Sequence, residues 1–163
     1  MSKFYGKYKG VVDQNIDLSG RGRLMVKVPT VFRDGKVWAL PCVPYAGPDI
    51  GFFMMPPTDA NVWVEFEEGD PKRAIWSGCF WGERESAPVS VSPLAAKTKM
   101  LKTDTCTLTL DDTPGSGGIT IETTNGQKIK LTATGIEIDN GLGATIKLSG
   151  PSVKINDQAL EVT

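Results

Sequence analysis

The first half of the chain carries short runs of β-branched and aromatic residues. Five such runs, each four to seven residues long, are bounded by Gly, Pro or Asp, and apolar positions alternate within them. This length and alternation favour β-strands. Five short strands joined by irregular loops predict a small closed barrel of the OB type. The runs are Gly6–Val12, Leu24–Val28, Val37–Leu40, Val62–Phe66 and Ala74–Phe80.

A different pattern begins near Lys102. The chain there consists of apolar-x-apolar pairs separated by turn-forming sequences such as Asn-Gly and Ser-Gly-Pro, and it contains no Trp, Tyr or Phe. Successive pairs start 7 to 11 positions apart. This spacing predicts a repeat of short strands and turns, typical of a β-helix or solenoid. The pairs are Leu108/Leu110, Ile119/Ile121, Ile129/Leu131, Ile136/Ile138, Ile146/Leu148, Val153/Ile155 and Leu160/Val162.

The stretch from Glu83 to Lys99 separates these two patterns. It is rich in Ser, Ala and Pro and has no hydrophobic period, which is typical of a linker. We therefore predict an all-β chain in three parts: an OB barrel over residues 1–82, a linker over 83–104 and a β-helical needle over 105–163.

The second pattern requires a partner for its apolar side chains. Each predicted strand directs only two apolar residues inward, which is too little buried surface to offset the ordering of about sixty residues. Several copies around one axis would pool these residues into a shared core, which predicts a closed, cyclic homo-oligomer. The alternative is a monomeric solenoid that leans on the barrel. The predicted shared core consists of Leu108, Leu110, Ile119, Ile121, Ile129, Leu131, Ile136, Ile138, Ile146, Leu148, Val153 and Ile155.

The composition excludes catalytic and metal sites that depend on histidine. The chain has no histidine, so a Ser-His-Asp triad, a Cys-His dyad and His metal ligands are all absent. The carboxylate pairs Asp111–Asp112 and Glu67–Glu68 are adjacent residues, which point to opposite faces of a strand and do not act together on one substrate. We expect no enzymatic activity, no metal and no cofactor.

Three widely spaced cysteines, Cys42, Cys79 and Cys106, occur without any CxxC motif. This favours buried, reduced thiols over a disulfide framework. The N-terminus has no apolar core of a signal peptide, and the longest apolar run, 50–57, is far shorter than a membrane helix requires. We expect synthesis in the cytoplasm.

Charge is unevenly distributed, although the formal net charge is only -1. Residues 1–40 carry eight Lys or Arg against three Asp or Glu, and residues 41–85 carry three against eight. The blocks either pair within one domain or face different neighbours. The basic block and four Trp residues are also compatible with an OB protein that binds single-stranded nucleic acid. The near-neutral total and the C-terminal repeat argue against that alternative.

Several motifs, taken in order along the chain, resemble the central spike family of contractile tails. This family includes the phage baseplate assembly protein V group and the VgrG spike of type VI secretion. The barrel part carries the motifs Tyr8–Val12, Gly20–Pro29, Trp38–Pro41, Pro44–Gly47, Val62–Arg73 and Ile75–Gly78. The needle part carries Leu110–Gly115, Gly118–Ile121 and Asn156–Val162.

The resemblance implies a structural function and specific partners. It implies an intertwined homotrimer whose needle transmits force toward a target membrane, touched only transiently, and a barrel that joins the needle to a wider hub. The particle would be a phage tail, an R-type bacteriocin or an extracellular injection system. The basic turn Gly20–Arg23 is interpreted either as a simple turn or as a contact from Arg21 and Arg23 to a hub or tube protein.

Three departures from the family pattern refine these expectations. This chain begins at the barrel and lacks the hub domain of fused relatives, so we expect a separately encoded hub protein. It has no lysozyme domain before the needle, and without His it has no apical iron site. We therefore expect a PAAR-type tip protein to bind around Leu160, Val162 and Thr163.

Overall fold

A computed structural model describes residues 2–89, 95–157 and 159–162. The chain divides into two compact units, Met1–Glu85 and Ser86–Thr163. The described part of the first unit contains seven strands, one short α-helix, α1 (Pro29–Phe32), and a 3-10 helix at Glu67–Gly69. The strands are β1 (Tyr8–Gln14), β2 (Leu24–Lys27), β3 (Lys36–Pro41), β4 (Ala46–Gly47), β5 (Ile50–Gly51), β6 (Asn61–Phe66) and β7 (Ala74–Cys79).

Five of these strands close into a barrel in the order β1-β2-β3-β7-β6. Every neighbouring pair is antiparallel except β3 and β7, which pair in parallel. The sequence patterning explains why the barrel forms, because alternate residues of each strand face inward. In β6, Val62, Val64 and Phe66 are buried while the residues between them are half-exposed. The predicted all-β class and five-stranded barrel are confirmed.

A tightly packed core fills the barrel. Gly10 of β1 allows the strands to approach closely, because a methyl group there would lie 2.9 Å from Cγ2 of Val64 and 3.2 Å from the carbonyl oxygen of Lys27. The indole N–H of buried Trp76 donates to the carbonyl of Gly22 at 3.2 Å. The buried apolar residues are Val12, Leu24, Val26, Val28, Ala39, Val62, Val64, Phe66, Ala74 and Trp76.

The second unit is one open, eight-stranded sheet. Each strand pairs antiparallel with the next strand along the chain, so the sheet is a meander from β15 at one edge to β8 at the other. Its strands are β8 (Thr98–Lys102), β9 (Cys106–Asp111), β10 (Gly118–Thr123), β11 (Lys128–Thr132), β12 (Gly135–Asp139), β13 (Thr145–Ser149), β14 (Ser152–Ile155) and β15 (Leu160–Val162).

Two features of this sheet differ from the sequence expectations. Within one chain the repeat forms an antiparallel meander, so the alternative of a monomeric solenoid is wrong. Turns as short as two residues return each strand directly beside its predecessor. The sheet also begins at Thr98, inside the segment assigned to the linker at 83–104.

Candidate functional site

The strand register of the second unit aligns its apolar residues into two continuous rows on one face. Within each strand from β9 to β14, the two apolar residues are separated by one polar residue, so both lie on the same face of the sheet. The first row comprises Leu110, Ile119, Leu131, Ile136, Leu148 and Val153. The second row comprises Leu101, Leu108, Ile121, Ile129, Ile138, Ile146, Ile155 and Leu160.

This apolar face is uncovered within the chain. Ile121 is 48% exposed and Ile138 43% exposed, although both occupy central strands. Among the described residues, every fully buried apolar side chain belongs to the barrel unit. A soluble protein rarely leaves so extended an apolar surface in water, so the face has the character of an interface.

The opposite face of the sheet is polar and carries charges of both signs. Lys130, Glu137, Lys147 and Lys154 lie in register across four strands. Lys147 Nζ lies 3.8 Å from Glu137 Oε1 and 2.6 Å from Asp157 Oδ1. The hydrogen bond to Asp157 raises the pKa of Lys147 above its usual value. The apolar face is therefore suited to burial and the charged face to contact with water.

The structure places all twelve predicted core residues in these two rows. Leu101 is a further member that the sequence analysis missed, because it belongs to the unpredicted strand β8. Of the residues predicted to bind a tip protein, Leu160 continues the second row on edge strand β15 and is 54% exposed. Val162 is in backbone register with Val153, and Thr163 lies outside the described residues.

The basic turn of the barrel is organised around Asp17, which the sequence analysis did not single out. Its carboxylate accepts hydrogen bonds from the backbone N–H groups of Ser19, Arg21 and Arg23 at 3.0–3.1 Å. Arg23 Nη2 lies 2.8 Å from Asp17 Oδ1, and the guanidinium carbon lies 4.9 Å from the centroid of the Trp38 ring. Arg23 therefore has partners within its own chain, whereas among the described residues the Arg21 guanidinium donates only to Ser19 Oγ, at 3.3 Å.

This arrangement fixes the charge of Asp17. The Arg23 guanidinium, helped by the Ser19 hydroxyl and by backbone N–H groups, holds the pKa of the Asp17 carboxyl far below its ordinary value of 3.8. The same pairing raises the pKa of Arg23. The turn thus contains an ion pair between Asp17 and Arg23 at neutral pH. The Asp17 side chain is only 3% exposed.

The expected burial of the cysteines needs correction. The thiols of Cys42, Cys79 and Cys106 are free, as predicted, but they are exposed and not buried. Of the four Trp residues, Trp76 is a core residue, whereas Trp81 is 62% exposed. Both Cys42 and Cys79 lie at or beyond the end of a barrel strand, where alternation no longer directs side chains into the core.

The part of the chain that the structure describes contains no group of three or more Cys, Asp or Glu side chains able to hold a metal ion. None of its helices is long and apolar enough to span a membrane.

Comparison with known protein families divides the chain at the same place as its patterning. Residues 8–81 match the type VI secretion system and phage-baseplate injector OB domain. Residues 98–161 match the phage baseplate V C-terminal trimerisation domain. A comparison with curated proteins found no match. The second family match begins at Thr98, the first residue of β8, and spans both rows of the apolar face.

Proposed function

Because this chain belongs to the phage baseplate V family, we propose that it is the central spike of a contractile injection particle. In this proposal three copies assemble through the apolar face of the C-terminal sheet. The barrel joins the spike to the baseplate, and the far end of the sheet carries the tip. Both matched families are structural components of baseplates or injectors, and the proposed role is mechanical.

One observation carries the proposal: the uncovered apolar face lies within the region that matches a trimerisation domain. The second apolar row runs across all eight strands and the first across β9 to β14, which provides a long surface. Burial of such a surface stabilises an assembly by about 25 cal/mol per Å² of apolar area. Three copies that turn these faces toward one axis would bury both rows and leave the charged face in water.

The same arrangement supports axial stiffness. Each pair of neighbouring strands is joined by a ladder of backbone hydrogen bonds, and the eight strands follow one another without a break in pairing among the described residues. Three such sheets around a shared apolar core would form a β-helical needle. A needle of this kind transmits force along its length because no flexible loop interrupts the stack.

The proposed partners bind the barrel and edge strand β15. We propose that the barrel binds a separately encoded hub, in keeping with its match to an injector OB domain. The hub contact predicted at Arg21 and Arg23 stays a prediction. We also propose a PAAR-type tip protein at edge strand β15, where the outer edge of the sheet has no neighbouring strand within the described chain. An unpaired edge next to exposed Leu160 favours a capping protein.

The location of the chain in an assembled particle tests this function. A small peptide tag on the full chain, co-expressed with the other particle proteins, should mark the central axis of the baseplate in electron micrographs, with three tags per particle. A tagged chain found on the sheath or fibres, or absent from intact particles, would refute the spike assignment.

A further inference from the structure

Two loops at one end of the barrel lie side by side. Residues 15–23 connect β1 to β2, and residues 42–60 connect β3 to β6. Because β1 is antiparallel to both β2 and β6, and β2 is antiparallel to β3, these loops emerge at the same end. The side-chain amide of Asn15 donates to the carbonyl of Pro56 at 3.0 Å, which joins one loop to the other.

The longer of these loops presents an apolar surface to solvent, which we call the apolar loop patch: Tyr45, Ile50, Phe52, Phe53 and Met54. Phe53 is 74% exposed and Tyr45 57% exposed. The five side chains line one groove with Gly20–Gly22 of the neighbouring loop. Large aromatic side chains and Met concentrated on one surface are typical of the centre of a protein interface.

The charge of the patch indicates what kind of surface it meets. Among the eighteen residues 41–58, Asp49 alone is charged. A surface of this composition offers little to a partner selected by charge. The same groove is lined by Arg21, so each copy brings one positive and one negative side chain to it, and Asp49 of one copy can face Arg21 of another. The patch is therefore compatible with a copy of itself.

The connection to the second unit supplies such copies. β7 is antiparallel to β6, so the chain leaves the barrel at the end that carries the apolar loop patch. If the C-terminal sheets trimerise, three patches are tethered at an effective concentration in the millimolar range. At this concentration the patches form contacts that would be too weak to hold free barrels together.

We propose that the apolar loop patches of the three chains pack against one another, so that the subunit interface extends from the C-terminal sheet to the barrels. This inference rests on the homotrimer proposed above. The patch contact is separate from the contact between the C-terminal sheets, and the five patch residues are not part of the barrel core.

Disulfide trapping tests the contact directly. In full-length protein with Cys42, Cys79 and Cys106 replaced by Ser, Phe53→Cys places a thiol in the patch. Glu68→Cys is the matched control, because Glu68 is also exposed but lies in the β6–β7 connection at the opposite end of the barrel. With dilute protein and a mild oxidant such as diamide, the Phe53→Cys protein should form disulfide-linked chain pairs at least about tenfold faster than the control, because packed patches hold their thiols close together whereas the control thiols are tethered but lie apart.

Light scattering of the same samples distinguishes a missing patch contact from a missing trimer. A trimer in which Phe53→Cys links no faster than Glu68→Cys would overturn the patch contact and leave the trimer standing. A monomeric protein would overturn both the homotrimer and the contact that depends on it.

Discussion

At the scale of single residues, Asp17 holds the turn between β1 and β2 together. Three backbone N–H groups and the Arg23 guanidinium donate to its carboxylate, so one residue orders the whole turn between β1 and β2. The sequence alone did not reveal this role, because an isolated Asp in a loop has no periodic context. The sequence Asp17-Leu-Ser19 was the available signal, since Asp and Ser favour local side-chain-to-backbone bonds in turns.

Replacing Asp17 by Asn should lower the thermal midpoint of the barrel at neutral pH. The folded-state pKa of Asp17 is depressed, so its contribution to stability is present above the unfolded value of about 3.8 and is lost as pH falls through the folded pKa. The difference between native protein and variant should therefore shrink as pH falls below about 4. Trp fluorescence melts across pH measure it, with Asp34→Asn as the control for an exposed carboxylate. A difference that does not change with pH would contradict the assignment.

At the scale of elements, the sheet depends on close approach at Gly118. A methyl group there would lie 2.0 Å from the carbonyl oxygen of Leu131, which belongs to the neighbouring strand β11. Backbone atoms cannot move aside as a flexible side chain would. Glycine at this position therefore sets the spacing of β10 and β11 at the end of the first apolar row.

Gly118→Ala should destabilise the C-terminal sheet by roughly 1–3 kcal/mol, the usual range for forced overpacking. Thr120→Ala is the control, because Thr120 lies on the same strand and removal of its side-chain atoms creates no clash. Far-UV circular dichroism melts of both variants measure the effect. Equal midpoints for the two variants would show that the close approach has no energetic role.

Sequence patterning predicted the elements better than their arrangement. The seven apolar pairs identified β9 to β15, because each pair lies in one strand and makes one face of that strand apolar. Strand β8 was missed because its apolar residues, Met100 and Leu101, are adjacent and do not alternate. The arrangement within one chain was not predicted, because the repeat length suits both a meander within one chain and a β-helix shared by several chains. Connections as short as two residues favour the antiparallel hairpins that the sheet contains.

At the scale of the whole molecule, the two units should respond differently to protein concentration. The barrel has its own core, whereas the described sheet has no buried residue within one chain. If the core of the sheet is shared between chains, its unfolding midpoint should rise with concentration by mass action. All four Trp residues lie in the barrel part, so Trp fluorescence reports the barrel, and far-UV circular dichroism also reports the sheet. A sheet transition independent of concentration would indicate that one chain covers its own apolar face.

The proposed tip contact can be separated from the proposed trimer. Deleting residues 158–163 removes β15 and should abolish binding of a PAAR-type protein while leaving the trimer intact, because seven strands of the second row, from Leu101 to Ile155, remain. Leu160→Lys should weaken binding in the same direction, and Leu18→Lys, a change at a 98% exposed barrel residue, serves as its control. Undiminished binding by the deletion variant would place the tip elsewhere.

The molar mass of the purified chain in solution tests the central claim most directly. Light scattering should give about three times the chain mass of 17.6 kDa for the native protein. Ile129→Asp, which places a charge in the middle of the apolar face, should reduce the mass to that of a single chain, because an unpaired buried charge is very costly. Thr120→Asp, on the opposite face beside Lys130, should leave the mass unchanged. A native protein of single-chain mass, or an Ile129→Asp variant as fully assembled as Thr120→Asp, would contradict assembly through this face.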